Sequence, residues 1–349
     1  MSEKITIALK RGASCVGCDI AVVNFNEALF TLLSVADIVF SPTLLDVKYD
    51  DLKRMPSRSI TIGFYHGAVR NSDNEEMARV MRDKCQILIA YGACAHMGGI
   101  PGLANVTTRQ AILEQVYHNT VTTANGDHVF PQERYVDEAG HELTLPAFWD
   151  EVKALDDVVE VDYYVPACPP THDINMQILN VVKAFVEEGT PLPPKGTVIA
   201  SEKNLCDECE RKRSDQLSVE QFVRIHEKVF DPEKCFLEQG IICMGPATRA
   251  GCGAVCPGAN MPCRGCMGPT AAVSEQGASM LSALASIYRI SDRENELAEE
   301  QIERLMSQIT DPLGCFYRFS LPKSELGRVV RDIKTPAQKA PEKVKKGKE

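Results

Sequence analysis

The sequence has no long apolar run and no excess of basic residues. Its first ten residues lack the hydrophobic region and the small-residue cleavage site of a secretory signal. The segment 28–40 comes closest to a membrane span, but three polar residues interrupt it. The net charge is −10, whereas a nucleic-acid-binding face is expected to be basic. These absences predict a cytoplasmic protein that neither spans a membrane nor binds nucleic acid.

The stretch 235–266 has little apolar material from which to build a core. It holds six cysteines among nine glycines and prolines. A segment so rich in turn formers cannot keep its shape by burying side chains alone, so disulfides or a metal must tie the thiols together. Cytoplasmic thiols stay reduced, and clustered cysteines there more often bind metal than pair. Metal binding is therefore the favoured interpretation.

The first half of the chain alternates strand-like and helix-like segments. This alternation predicts a parallel sheet with helices on both faces. The polar stretch 109–150 is interpreted as a long irregular insertion between strands. Strand patterns fall at 5–9, 38–40, 59–64, 86–91 and 158–165. Helical patterns fall at 22–33, 73–84, 173–187, 271–289 and 292–309.

The Pro-rich segment 189–196 marks a change in composition and predicts a domain boundary. Beyond it, eight cysteines lie between 206 and 266, and β-type runs are few. The sequence thus predicts an α/β domain over residues 1–189 and a loop-rich metal domain with a few helices over 197–333. The lysine-rich tail 334–349 is predicted to be disordered.

Twelve of the fourteen cysteines divide by chain position into three sets of four. Three C-x-x-C pairs occur among them, a spacing that lets one turn present two thiolates to the same metal. The remaining two, Cys85 and Cys315, stand beside apolar segments and are predicted to be small core residues. The first set is Cys15, Cys18, Cys94 and Cys168; the second is Cys206, Cys209, Cys235 and Cys243; the third is Cys252, Cys256, Cys263 and Cys266.

By count, four thiolates fit zinc and a 4Fe-4S cluster equally well. Structural zinc usually takes its ligands from one or two nearby loops. The first set instead draws on three predicted strand ends, which meet at one edge of a parallel sheet. Glycines in these loops would let the backbone approach a bulky cluster and direct N–H groups at its sulfurs. Iron–sulfur is therefore favoured, and three clusters would form an electron relay. The glycines expected to act in this way are Gly12, Gly17, Gly92, Gly98 and Gly99.

The three N-terminal loops together resemble the small subunit of NiFe hydrogenases. The matching segments are GASCVGC at 12–18, GACAHMGGIP at 92–101 and ACPP at 167–170, where the family usually has glycine in place of Ala167. The resemblance implies a flavodoxin-like fold with a proximal 4Fe-4S cluster on the first set. It also implies that the nickel–iron centre lies in a separate large subunit, so that this chain carries no catalytic residue.

The C-terminal half resembles one branch of that family, the cytosolic methyl-viologen-reducing hydrogenases that do not use coenzyme F420. Periplasmic relatives have a histidine where Cys206 stands, and commonly a proline in place of Cys256, which leaves a 3Fe-4S medial cluster. Cys256 therefore implies a 4Fe-4S medial cluster here. The resemblance covers residues from about 4 to 310, and the matching C-terminal segments are 238–240, 243–246, 248–253 and 262–269.

The same resemblance implies a path for electrons. The third set would hold the medial 4Fe-4S cluster and the second set the distal one. Electrons from H2 oxidation in the large subunit would pass through the first, third and second sets to a small iron–sulfur subunit. That subunit would feed a flavin-containing complex such as heterodisulfide reductase.

Two other functions stay open at this point. One is an iron–sulfur relay subunit of an oxidoreductase without hydrogenase activity, similar to the flavodoxin-like subunit of complex I. That subunit has one cluster, so the second and third cysteine sets disfavour it. The other is a non-redox zinc scaffold, which metal and sulfide analysis would separate from a relay.

Overall fold

The computed structural model describes residues 4–289 and 298–328, and nine strands occur in that part of the chain. Those predicted from the sequence are present within one or two residues, except for the last. The strands are β1 (Ile5–Arg11), β2 (Ala36–Phe40), β3 (Ile60–His66), β4 (Val69–Asn71), β5 (Cys85–Tyr91), β6 (Arg134–Val136), β7 (Glu142–Thr144), β8 (Phe148–Lys153) and β9 (Tyr163–Val165).

The main sheet has five strands in the order β2-β1-β3-β5-β9, and every neighbouring pair is parallel. This confirms the predicted α/β class. The order changes direction at β1, as in flavodoxin-like folds, and sites in open α/β sheets form beside the carboxyl ends of the strands at such a point, here β1 and β3. The carboxyl ends of all five strands lie at the same edge, and the cysteine-bearing loops of the first half follow three of them.

Eleven α-helices occur among the described residues. Short 3-10 turns, such as 155–157 and 205–207, complete the regular structure. The helices are α1 (Gly17–Val23), α2 (Ala28–Val35), α3 (Tyr49–Arg54), α4 (Ser72–Lys84), α5 (Ala93–Met97), α6 (Arg109–Tyr117), α7 (His172–Glu188), α8 (Val255–Gly258), α9 (Gln276–Ile287), α10 (Ala298–Ser307) and α11 (Pro312–Phe316).

Local sequence sets the bounds of the predicted long helices. The Asn71 side chain accepts a hydrogen bond from the Asn74 N–H at 2.8 Å and caps α4. Thr171 caps α7 in the same way, and Gly189 ends that helix in a left-handed conformation with φ 66°. The helices predicted over 73–84 and 173–187 are therefore confirmed.

The helix predicted over 22–33 is two helices, α1 and α2. The chain breaks between them, where Asn26 adopts φ 51°, a left-handed conformation that a helix cannot contain. Along the described ranges, no single helix is long and apolar enough to cross a membrane; α1 and α2 reach that composition only as a pair bent by 87°.

The interpretation of 109–150 as an irregular insertion is wrong in part. The Thr108 hydroxyl accepts the Ala111 N–H at 3.1 Å and starts α6. Further on, β6 and β7 form an antiparallel hairpin, and β8 pairs with β4. Short helices and strands of this kind carry a weak periodic signal, which explains why the sequence pattern missed them.

The strand predicted over 158–165 is shorter than expected, because a turn occupies the residues before it. The Asp157 carboxylate accepts the Ala154 N–H at 2.9 Å and closes the 3-10 turn over 155–157. The β-type composition of 158–161 therefore follows a turn, and pairing with β5 is confined to Tyr163–Val165.

The helices predicted in the second half are present in shortened form. The pattern over 271–289 corresponds to α9, whose first turn is capped by Glu275. The described part of the pattern over 292–309 is α10. Residues 290–297 and the predicted disordered tail 334–349 lie outside the described residues.

The cysteine-rich half packs directly against the sheet. One cluster of buried residues runs from Ile7 and Val165 in the sheet to Phe236 and Met280 in the second half. The Ile199 N–H donates to the Tyr164 carbonyl at 2.8 Å, so the chain continues along the edge of β9 after the Pro-rich segment. The two halves thus share a core at the cysteine-bearing edge.

A buried ion pair joins α4, β5 and the Pro-rich segment to the residue before β9. Asp162 is 1% exposed, accepts hydrogen bonds from Arg82 Nη1 at 2.7 Å and from the Leu88 N–H at 2.8 Å, and forms an ion pair with Lys195 Nζ. Burial acts to raise the pKa of Asp162, but Arg82, Lys195 and the Leu88 N–H outweigh it and lower the pKa. The ionised carboxylate is therefore the stable form.

Asp162→Asn is expected to lower the free energy of unfolding by about 3–5 kcal/mol, because it leaves the largely buried Arg82 without its counterion. Lys195→Gln, at a side chain 69% exposed, is the control and should cost roughly 1 kcal/mol or less. Because the pKa of Asp162 is lowered on folding, its contribution is present above the unfolded value near pH ~3.9 and disappears below it. Urea denaturation measures both, and equal stability of the two variants at pH 7 would contradict this account.

Candidate iron–sulfur centres

The first set of cysteines lies at the carboxyl ends of parallel strands. Cys15 and Cys18 follow β1, Cys94 lies in α5 directly after β5, and Cys168 follows β9. Burial, followed by the charges of Cys94, Cys168 and Cys15, raises the pKa of Cys18. Burial and the charges of Cys168 and Cys15 raise the pKa of Cys94 to about 12. The structure therefore brings together four thiols from three distant parts of the chain, with Cys15 exposed and Cys18 and Cys94 buried.

Glycines let the backbone approach these sulfurs. A Cβ on Gly92, at φ 87°, would lie 2.7 Å from Cys18 Sγ. A Cβ on Gly99, at φ 58°, would lie 2.5 Å from Cys94 Sγ. Gly17 donates its N–H to the sulfur two residues earlier at 3.4 Å. No side chain fits at the first two positions, so three of the five expected glycines do face sulfur.

The other two glycines have different roles, and their predicted role is wrong. A Cβ on Gly12 would lie 2.5 Å from the Tyr65 hydroxyl oxygen, and one on Gly98 would collide with the Pro322 ring. Gly12 thus allows β1 to leave the sheet past Tyr65. Gly98 allows the C-terminal segment to pack on the loop after α5.

Ala167 departs from the glycine that the family usually has, and it adopts an unusual backbone conformation. Its φ is 84°, a region that costs a residue with a Cβ about 1 kcal/mol or more. Its N–H donates to the Cys266 carbonyl at 3.2 Å, and its carbonyl accepts the Ala93 N–H at 2.7 Å. These two bonds hold the loop of Cys168 between α5 and the third set.

The second set gathers around a 3-10 turn over 205–207. Burial, followed by the charges of Cys243, Cys235 and Cys209, raises the pKa of Cys206 to about 12; Arg213 acts in the opposite direction. A Cβ on Gly245 would lie 3.2 Å from Cys206 Sγ. All four thiols of the second set are therefore neighbours.

The third set lies between the other two. Burial raises the pKa of Cys266 to about 12. The backbone N–H of Cys168 donates to this sulfur and lowers its pKa, whereas the charge of the Cys168 thiolate raises it. Burial and then Cys243 raise the pKa of Cys263. The Cys263 N–H donates to Cys243 Sγ at 3.3 Å. The third set thus contacts the first through Cys266 and the second through Cys263, while Cys252 and Cys256 complete it.

The three sets are groups of neighbouring thiols, and their side chains are not arranged around a metal ion. Across residues 4–289 and 298–328, no three His, Cys, Asp or Glu side chains are placed to hold a single metal ion. The assignment of the twelve cysteines as cluster ligands therefore remains a prediction.

The two remaining cysteines differ. Cys85 is buried where β5 begins, and a Cβ on Gly63 would lie 2.5 Å from its sulfur, so its role as a core residue is confirmed. Cys315 is only half-buried and lines a cavity with three arginines, so the prediction of a core position is wrong in part.

Glu208 joins the second and third sets and was not anticipated. It lies inside the Cys206/Cys209 pair, and its carboxylate accepts the Gly251 N–H at 2.6 Å and the Gly253 N–H at 3.1 Å. Those two amides flank Cys252 of the third set. An acidic residue within a C-x-x-C pair is a weak signal, and no spacing reveals backbone partners more than forty residues away.

Arg211 forms a second connection between the same loops. Its guanidinium stacks on the Phe236 ring at 3.9 Å. It donates to the Lys234 carbonyl at 2.9 Å, beside Cys235, and to the Pro257 carbonyl at 3.3 Å, beside Cys256. It also donates to the Asn260 side chain. Glu208 and Arg211 together fix the second set against the third.

Glu208→Gln is expected to lower the free energy of unfolding by about 1–3 kcal/mol. The neutral amide has one acceptor oxygen and cannot receive both backbone N–H groups as a charged acceptor does. Glu210→Gln is the matched control, because Glu210 is an exposed neighbour with the same charge. Thermal denaturation of the metal-loaded proteins measures the difference. If both variants melt together, Glu208 does not connect the two sets.

Comparisons with known proteins cover nearly the whole chain. The family profile described as NADH ubiquinone oxidoreductase, 20 Kd subunit, matches residues 15–182. The iron–sulfur subunit of the F420-non-reducing hydrogenase of Archaeoglobus profundus is 41% identical over 334 residues, which are 94% of this chain and 99% of that protein. The corresponding F420-non-reducing hydrogenase subunit of Methanothermobacter thermautotrophicus is 38% identical, over 92% of this chain and 96% of that protein.

One solved structure, an NAD+-reducing NiFe-hydrogenase in the H2-reduced state, contains a chain with 30% identity and a TM-score of 0.45. The match covers 55% of this chain and 98% of that one. The relatives that match over nine-tenths of the chain decide the assignment. As the motifs predicted, this chain belongs to the family of small subunits of the F420-non-reducing, methyl-viologen-reducing NiFe hydrogenases.

Proposed function

We propose that this chain is the electron-transfer small subunit of a cytoplasmic NiFe hydrogenase and that it holds three 4Fe-4S clusters. The observation that carries the proposal is the position of the third set between the other two, with Cys266 beside Cys168 and Cys263 beside Cys243. Three adjacent groups of four thiols, each holding a cluster, would form the row of redox centres that a relay requires. The first set would hold the proximal cluster, the third the medial and the second the distal.

The residues around each set suit a cluster. Thiolates are the usual ligands, and N–H groups that donate to their sulfurs tune the potential. Such donors occur here: Gly17 to Cys15, and Gly265 to Cys263 at 3.4 Å. Bound clusters would supply one-electron redox chemistry. The protein's part is to hold the thiols, supply the N–H donors and exclude water from the buried members.

An exposed apolar surface beside the first set supports docking of the large subunit there. Cys15 is exposed, and so are the neighbouring Val16, Ile20 and Val23, each more than two-fifths accessible. Phe30 on α2 is 77% exposed. Contiguous apolar surface is typical of a protein interface. The nickel–iron centre would then lie in the partner, across from the exposed end of the first set.

The distal end offers a different surface. A cavity of about 490 Å³ opens beside Cys209 of the second set, and Glu210, Lys212 and Glu233 line it. We propose that a small iron–sulfur subunit docks at this charged surface and passes electrons to a heterodisulfide reductase-type flavin complex. The polar character suits a partner that binds transiently.

Metal analysis tests the relay. The anaerobically purified chain is expected to contain roughly twelve irons and as much acid-labile sulfide, from four of each per cluster. A large subunit that carries nickel should purify with it. Zinc without sulfide would instead indicate a scaffold. A full iron content with a nickel-free partner would indicate a relay in an oxidoreductase without hydrogenase activity.

The large-subunit interface is tested at α1. Ile20→Glu is expected to weaken association with the nickel-carrying subunit by about tenfold or more, because it places a charge in an apolar contact. Val129→Glu is the control, since Val129 is an exposed apolar residue outside the region of the first set. Co-purification yield and thermal melting of each variant are compared. Equal yields would place the interface elsewhere.

A further inference from the structure

A cavity of about 180 Å³ in the cysteine-rich half belongs to none of the proposed cluster sites. Three arginines from separate segments line it. Arg224 lies between Cys209 and Cys235, Arg264 lies between Cys263 and Cys266, and Arg318 follows α11. Apolar side chains, including Ile241 and Ile309, form much of the remaining wall. Charged groups above an apolar wall are typical of a small-ligand pocket.

The three arginines line the same cavity as the thiol of Cys315. Burial and Asp311 raise the pKa of Cys315, and Arg264, Arg318 and Arg224 each act against that rise. All three guanidinium groups therefore lie close enough to affect the same sulfur. Cys315 is half-buried and lies in the wall of the cavity.

These arginines are not neutralised by the part of the chain that the structure describes. None of the three has an ion pair there, and Arg318 donates only its Nε–H, to the Gly314 carbonyl at 2.9 Å. Asp311 is the acidic residue of the described lining, and its carboxylate is engaged in capping α11 through the Gly314 N–H at 3.0 Å. Three positive charges thus face one negative charge.

Half-buried guanidinium groups without counterions are unfavourable, and their planar donor geometry matches oxyanions. Arg264 and Arg318 are both half-buried. Against the net charge of −10 for the whole chain, a local excess of positive charge in a concave site is selective for anions. The lysine-rich end of the chain has the wrong sign to fill it.

We propose that this cavity binds a small oxyanion, the phosphate or carboxylate group of a small-molecule ligand. The guanidinium groups of Arg264 and Arg318 would donate hydrogen bonds to the oxyanion, and Arg224 would lie at its exposed side. A bound anion would place negative charge beside the loop that carries Cys263 and Cys266. The proposal depends on the cavity and its arginines, whichever metal the neighbouring cysteines hold.

Calorimetric titration of the metal-loaded complex with inorganic phosphate, and separately with citrate, tests the site at an ionic strength held constant with sodium chloride. We expect saturable binding of at least one anion with one site per chain. The preferred anion distinguishes a phosphate-bearing from a carboxylate-bearing ligand. The double variant Arg264→Gln/Arg318→Gln should bind the anion at least about tenfold more weakly, because each substitution removes a charged hydrogen-bond donor to it.

Arg54→Gln is the control, because Arg54 is an exposed arginine on α3 outside the cavity lining, and it should bind as the unmodified protein does. Absence of saturable binding with both anions would overturn the proposal. Equal affinity of the double variant and the control would do so as well.

A second measurement uses the unmodified protein and needs no variant to fold. Iodoacetate labelling of Cys315 is followed by peptide mass spectrometry. An anion in the cavity should shield this thiol, so labelling should slow about tenfold when phosphate or citrate is present at ten times its dissociation constant. Chloride at the same ionic strength should leave the rate unchanged. Labelling that neither anion slows would show that the cavity holds no oxyanion.

Discussion

The structure depends on the burial of sulfur beside sulfur. Burial raises the pKa of Cys94, Cys206 and Cys266 to about 12, because a charged thiolate is poorly solvated there and other thiols lie close by. Such a site is stable with ionised sulfurs only when a cation shares their charge and N–H groups donate to them. This requirement explains why the twelve cysteines lie in loops, in short turns or in the first turn of a helix. Cys18, Cys94 and Cys256 are each the second residue of a helix, where N–H groups have no acceptor within the helix.

The part of the site that follows from topology could be predicted from the sequence. Parallel strands end at one edge, so cysteines placed after β1, β5 and β9 meet there although they are far apart in the chain. The C-x-x-C pairs fix two thiols at once. Ala167 shows the limit of motif reading: the position requires a left-handed conformation, and only the structure shows that alanine adopts it at φ 84°.

The part that follows from side chains reaching across the chain could not be predicted. Glu208 binds two amides on another loop, and Arg211 joins carbonyls from two loops to an aromatic ring. Neither produces a periodic or spaced pattern. The same is true of the three arginines around Cys315, which come from separate segments. Weak local signals explain the other errors, such as the prediction of one helix over 22–33, where the structure has α1 and α2.

The order of the three sets in space differs from their order in the chain, and two backbone contacts account for it. The third set comes last in sequence but lies between the first and second. The Met244 N–H donates to the Cys263 carbonyl at 3.0 Å, and the Cys263 N–H returns a bond to Cys243 Sγ. On the other side, the Ala167 N–H donates to the Cys266 carbonyl. All four cysteines of the third set lie in the second half of the chain, so that set is assembled there, and the Ala167 bond places it against the first set. The packing of the two halves therefore fixes the proposed medial site beside the proposed proximal site.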